Sequence, residues 1–88
     1  MAWQVKYERS AEKQISKLTP QIQERISNEL TKVCDLGNPR LRGKCLKGKL
    51  AGLWRYKVGD YRIICDIKDN ELIILVIEAG HRREIYKK

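Results

Sequence analysis

The stretch Leu53-Trp-Arg-Tyr-Lys-Val-Gly-Asp-Tyr-Arg62-Ile-Ile-Cys-Asp-Ile67 reads as a β-hairpin with Gly59-Asp60 at its tip. Residue types alternate with the period of a strand on either side of the tip. A glycine at the first loop position suits a type II′ turn, and a two-residue loop fixes the register. Val58 then faces Tyr61, Lys57 faces Arg62, Tyr56 faces Ile63 and Arg55 faces Ile64. Directly opposed residues share a face of the sheet. Trp54, Tyr56, Val58, Tyr61, Ile63 and Cys65 therefore belong to a core-facing side, and Arg55, Lys57 and Arg62 to the other. Like charges placed opposite one another destabilise a hairpin. Stability alone gives little reason for this arrangement, whereas an anionic ligand would offset the repulsion.

Outward from the hairpin the pattern completes a small α+β domain. Upstream, Trp3, Val5 and Tyr7 alternate with Gln4 and Lys6 as a short strand. Ser10 is placed to cap a first helix, with Ala11, Ile15 and Leu18 at helical spacing. Thr19-Pro20 starts a second helix, Thr19 as cap and Pro20 in the first turn. Its stripe is Ile22, Ile26, Leu30 and Val33, and Gly37-Asn38-Pro39 ends it. The Gly- and Lys-rich segment 40–50 reads as a loop that enters a strand near its end. Strands are expected at Leu53–Val58, Tyr61–Ile67 and Glu71–Glu78, with a turn at Lys68-Asp69-Asn70. Leu72 to Ile77 is apolar on both faces, so this strand should lie inside the sheet. The order predicts a helical hairpin on one face of a three-stranded antiparallel meander plus the N-terminal strand, as a single domain over residues 1–88.

Charge narrows the partners. The chain of 88 residues carries 19 Lys and Arg against 11 Asp and Glu, a net charge of +8 that favours a polyanion or an acidic protein. Between Leu36 and Gly59 there is no acidic residue. Lys44, Lys47 and Lys49 in that stretch are either solvated surface or phosphate contacts. Cys34, Cys45 and Cys65 form no Cys-x-x-Cys pair, so reduced thiols in a cytoplasmic protein are expected rather than disulfides or a zinc site. No segment is long enough to span a bilayer, so no membrane partner is expected. The lone histidine opens Gly80-His81-Arg82-Arg83-Glu84-Ile85-Tyr86, just past the last strand. His81 suits proton transfer near neutrality, or simply caps the strand by hydrogen bonding to backbone.

The words Leu46-Lys-Gly, Gly52-Leu-Trp-Arg55, Val58-Gly-Asp-Tyr-Arg62-Ile-Ile and Gly80-His-Arg82-Arg-Glu-Ile-Tyr86 resemble the RelE/ParE superfamily of bacterial toxins, and within it the RelE branch. The resemblance spans essentially the whole chain. It implies a fold like the small microbial ribonucleases and an endoribonuclease that enters the ribosomal A site and cuts mRNA. The ribose 2′-hydroxyl attacks the adjacent phosphate, and no cofactor or metal is implied. On that resemblance the catalytic set is Arg55, Arg62, His81, Arg82 and Tyr86. Arg62 would steady the phosphate, Arg82 would serve the leaving group or phosphate, His81 would be the general acid, and Tyr86 would stack a base. Lys44, Lys47, Lys49, Lys57, Arg83 and Lys87 would bind RNA. Leu53 and Lys44 stand where some relatives carry a lysine and a glutamate, so the general base is not assigned. The implied partners are a cognate acidic antitoxin, the ribosome and mRNA, with DNA reached only through the antitoxin complex. A gyrase inhibitor of the ParE kind and an inactive basic binding module are the alternatives on the same fold.

Overall fold

The computed structural model describes residues 2–85. Five strands form one sheet in the order β1-β5-β4-β3-β2. These are β1 (Gln4–Tyr7), β2 (Lys44–Cys45), β3 (Trp54–Val58), β4 (Tyr61–Lys68) and β5 (Ile73–His81). Helices α1 (Arg9–Ser16) and α2 (Pro20–Asp35) come between the first two strands, and a short α3 (Arg82–Ile85) follows the last. The expected α+β architecture is present, with two additions. The lysine-rich loop contributes the two-residue edge strand β2, and β1 pairs with β5 in parallel rather than antiparallel fashion.

The hairpin register is the expected one, from Trp54 opposite Cys65 to Val58 opposite Tyr61. Gly59 has φ +59°, and among the described residues the only non-glycine at positive φ is Leu72, so the turn has the II′ form. Tyr56 and Ile63 are fully buried. They meet Ile26, Leu30 and Val33 of the α2 stripe, together with Ile74 and Val76 of β5, in one core. Each such aliphatic side chain stabilises by roughly 1.5–3 kcal/mol. Thr19 caps α2 by accepting from the Ile22 N–H at 3.4 Å, and Pro20 occupies the first turn.

The first helix departs from expectation at both ends. Glu8, not Ser10, is its cap residue, because the Glu8 N–H is still held by the Val76 carbonyl and the chain leaves the sheet only after it. Ser10 lies inside α1, its hydroxyl donating to the Ile77 carbonyl at 3.4 Å. The helix stops at Ser16, short of Leu18. α1 lies along β5, where the Gln14 side-chain oxygen accepts from the Ala79 N–H at 2.8 Å. That bond satisfies a strand edge that β1 is too short to reach.

β5 starts two residues later than expected and runs three further, to His81. Leu72, at φ +55°, closes the turn that sets the late start. Ile77 is an extra residue: Ile64 opposes Glu78, but Cys65 opposes Val76. This bulge reverses the facing of everything beyond it. Ile74, Val76 and Ala79 all reach the core, while Glu78 and Gly80 turn to the second face of the sheet.

Candidate functional site

The second face is organised in cross-strand rows. One row runs Lys44, Arg55, Ile64, Glu78, and the next runs Lys57, Arg62, Gly80. The pairing that defined the sequence-level cluster is therefore present. β2 adds Lys44 directly opposite Arg55, and the bulge brings a carboxylate, Glu78, into the same row.

Arg62 behaves differently from expectation. Instead of projecting into solvent from an open face, it is 8% exposed. Its Nη1 donates to the carbonyls of Gly59 at 2.9 Å and Tyr61 at 3.1 Å, folding the guanidinium back onto the hairpin turn. This eases the repulsion from Lys57 directly across the ladder. Arg62 Nε is buried with no hydrogen-bond partner among the described residues. A fixed guanidinium with donors left over is preorganised for an anion.

The same turn anchors the end of β5. The Arg82 N–H donates to the Asp60 carbonyl at 2.8 Å, so α3 starts at the hairpin tip. Arg82 and Arg83 are exposed. α3 then crosses onto the second face, where Ile85 Cδ1 lies 3.5 Å from the point a Cβ on Gly80 would occupy. His81 is opposite Tyr61 and packs against it edge-on, with ring centroids 5.7 Å apart and planes at 80°. It thus shares the Tyr61 side of the sheet, not the Arg62 side. Its Nδ1 accepts from the Arg83 N–H at 3.3 Å, which leaves Nε2 to carry the proton in the neutral ring. Both halves of the proposed constellation meet at the tip of one turn, one on each side of it.

Lys47 and Lys49 are exposed in the connection between β2 and β3. Lys57 is exposed and Arg55 half-buried. Tyr86 and Lys87 lie outside the described residues. Trp54 and Tyr56 belong to the core, as their parity requires. The Tyr56 hydroxyl donates to the Pro39 carbonyl at 2.7 Å, and Trp54 Nε1 donates to the Arg42 carbonyl at 2.7 Å. Together they tie segment 39–42 to the sheet and so hold β2 in place.

Two arginines of the basic stretch are already paired, which the sequence did not reveal. Arg40 forks onto Asp69 at 2.8 and 3.0 Å, and Arg42 onto Glu29 at 2.6 and 3.2 Å. The Arg40 guanidinium holds the Asp69 carboxyl below the ordinary carboxylate range. Among the described residues no group of three or more His, Cys, Asp or Glu side chains is placed to hold a metal ion.

A family profile described as the ParE toxin of the type II toxin–antitoxin system parDE matches residues 5–86. The chain belongs to this toxin family. It is similar to a RelE-like toxin protein of Escherichia coli, with 33% identity over 87 residues covering 93% of this chain and 85% of that one. It is 29% identical to toxin RelG of Mycobacterium tuberculosis, with each chain fully covered. Among solved structures, the toxin–antitoxin complex RelBE2 of Mycobacterium tuberculosis matches with a TM-score of 0.82 at 24% identity, covering 93% of this chain and 100% of that one. The isolated RelE toxin of Escherichia coli matches at 0.76 and 26%, covering 98% and 93%. The protein is thus a toxin of a type II toxin–antitoxin system with the RelE/ParE fold. No helix among the toxin's described residues is long and apolar enough to cross a membrane.

Proposed function

We propose that this toxin is a metal-independent endoribonuclease that cuts mRNA in the ribosomal A site. The observation that carries the reading is the shared anchoring of Arg62 and Arg82. Far apart in sequence, the Arg62 guanidinium and the Arg82 backbone N–H are bound to the adjacent carbonyls of Gly59 and Asp60. A guanidinium fixed at the turn, with a second arginine rooted in the same turn through its backbone, suits a phosphodiester whose charge grows during reaction. The 2′-hydroxyl gives up its proton to solvent water and attacks the adjacent phosphorus. The bond to the 5′-oxygen breaks, leaving a 2′,3′-cyclic phosphate and a 5′-hydroxyl. Arg62 steadies the phosphate, Arg55 and Lys57 extend the positive row beneath it, and Arg82 serves the departing side. His81, as the imidazolium with Nδ1 released from the Arg83 amide, supplies the leaving-group proton from the Tyr61 side of the turn. Tyr86 stacks a base, and Lys44, Lys47, Lys49, Arg83 and Lys87 hold the RNA backbone.

The same reading places the toxin in the cytoplasm with an acidic antitoxin that covers this face and makes any DNA contact of the complex. Similarity to a RelE-like toxin and to toxin–antitoxin complexes supports it. The parDE description of the matching family favours a second reading, inhibition of DNA gyrase. One experiment separates them. The toxin is added to a translating extract and 5′ ends of mRNA are mapped, while gyrase cleavage complexes are assayed in parallel. Cuts inside codons that need translation support the nuclease. Trapped gyrase with intact mRNA supports the other reading.

A further inference from the structure

We infer, resting on the RNA-binding reading above, that the toxin's RNA surface continues as a second backbone track in the trough between α2 and the outer edge of β3. Two adjoining hollows of about 310 and 360 Å³ lie there and share Glu29 and Lys57 in their walls. One side is a helical stripe at i, i+3, i+4, i+7: Arg25, Asn28, Glu29 and Lys32. The floor is β3 from Tyr56 to Val58 and then Gly59 of the turn, and the far end is closed by Arg42, Lys44 and Arg55. Glu29 is the carboxylate in this lining, and it is forked by Arg42 through Nε and Nη2. The trough is therefore strongly positive along its length; it lies at the β3 edge against α2 and meets the second face at Lys44, Arg55 and Lys57.

The backbone of β3 decides between a nucleic acid and an added peptide strand. The Leu46 N–H to Leu53 carbonyl bond fixes which β3 residues point their amides at this edge: Leu53, Arg55 and Lys57. Arg55 is taken by Lys44. Arg42 would be the next partner, opposite Lys57, but its carbonyl is bound to Trp54 Nε1 and the chain turns off at Gly43, φ +79°. Only Lys57 then offers a backbone pair before the Gly59 turn, too little for a peptide to extend the sheet. Attraction must come from the cations. Tyr56, the aromatic ring in the lining, is fully buried and gives no stacking surface. A site of cations without stacking binds phosphates with no sequence preference.

The test uses fluorescence anisotropy of the full toxin with a labelled 2′-O-methyl single-stranded RNA, which lacks the attacking hydroxyl and so reports binding whether or not the toxin cuts. Arg25→Ala with Lys32→Ala should weaken binding several-fold and flatten the plot of log affinity against log salt by about 1.4, two contacts at about 0.7 each. Lys13→Ala with Lys17→Ala removes the same charge from α1 and should leave the slope near wild type. Glu29→Gln should bind more tightly, a gain that misfolding cannot produce. Equal losses from the α1 and α2 pairs would overturn the proposal. So would an α2 pair that binds RNA normally but loses a poly-glutamate peptide, since the trough would then belong to an acidic protein.

Discussion

Arg62 shows why a residue can be found from sequence and still be misjudged in detail. Strand parity places it on the second face, opposite Lys57, and that holds. Its burial does not follow from parity, because it arises from a local contest: two like charges face each other, and the turn carbonyls beside one of them are free to accept. Arg62→Ala is expected to lower mRNA cleavage by about 10²–10³-fold, the usual loss when one preorganised donor is removed from a developing oxyanion. Arg62→Lys keeps the charge but loses the guanidinium nitrogens beyond the one that binds the Gly59 and Tyr61 carbonyls, so its cleavage rate should fall between alanine and wild type. Both are read by single-turnover cleavage on programmed ribosomes, with circular dichroism confirming the fold. Wild-type rates from both variants would remove Arg62 from the site. His81 was legible as a chemical type, but its side of the sheet was not. The Ile77 bulge decides that, and one more apolar residue in an apolar run carries no mark of it.

At the level of elements, the long ones were the most legible. α2 announced itself through a stripe, a cap and a glycine stop, and the hairpin through its turn. What escaped was β2, two residues whose pairing rests on distant side chains and not on local pattern. Tyr56, Trp54 and the Arg42–Glu29 fork hold the preceding segment, and Gly43 makes the close approach. A Cβ on Gly43 would collide with the Arg55 carbonyl and lie 2.7 Å from Trp54 Nε1. Gly43→Ala should cost about 1–3 kcal/mol from its positive φ alone. It should also detach Lys44 from Arg55, so cleavage drops further than the melting temperature implies. Tyr56→Phe leaves the buried Pro39 carbonyl without its donor and should cost about 1–2 kcal/mol in urea denaturation. An unchanged midpoint for Tyr56→Phe would show that the segment does not depend on that bond.

At the scale of the whole molecule, burial in or against one core raises the pKa of four weakly acidic groups among the described residues, Tyr7, Cys34, Tyr56 and Cys65, the last two most strongly. Burial pushes the Cys65 thiol and the Tyr56 hydroxyl up from their ordinary values of 9.0 and 10.0. A folded-state pKa above the unfolded one gives stability that is complete below the unfolded value and declines as pH rises past it. Urea midpoints should therefore hold through neutrality and fall from about pH 9 upward. Cys65→Ala should make that fall shallower below the tyrosine range, with Cys34 supplying the remainder, and a flat profile to strong alkali would contradict the linkage. Topology has its own effect on the order of events. The first strand lies beside the last, Val5 against Ile74, so the sheet cannot close until β5 is available. His81 and Arg82 come later still in the chain. A chain not yet extended through β5 holds an unfinished sheet, and toxicity has to wait until that strand and Arg82 are in place. Strand order alone thus delays the poison until its last strand exists.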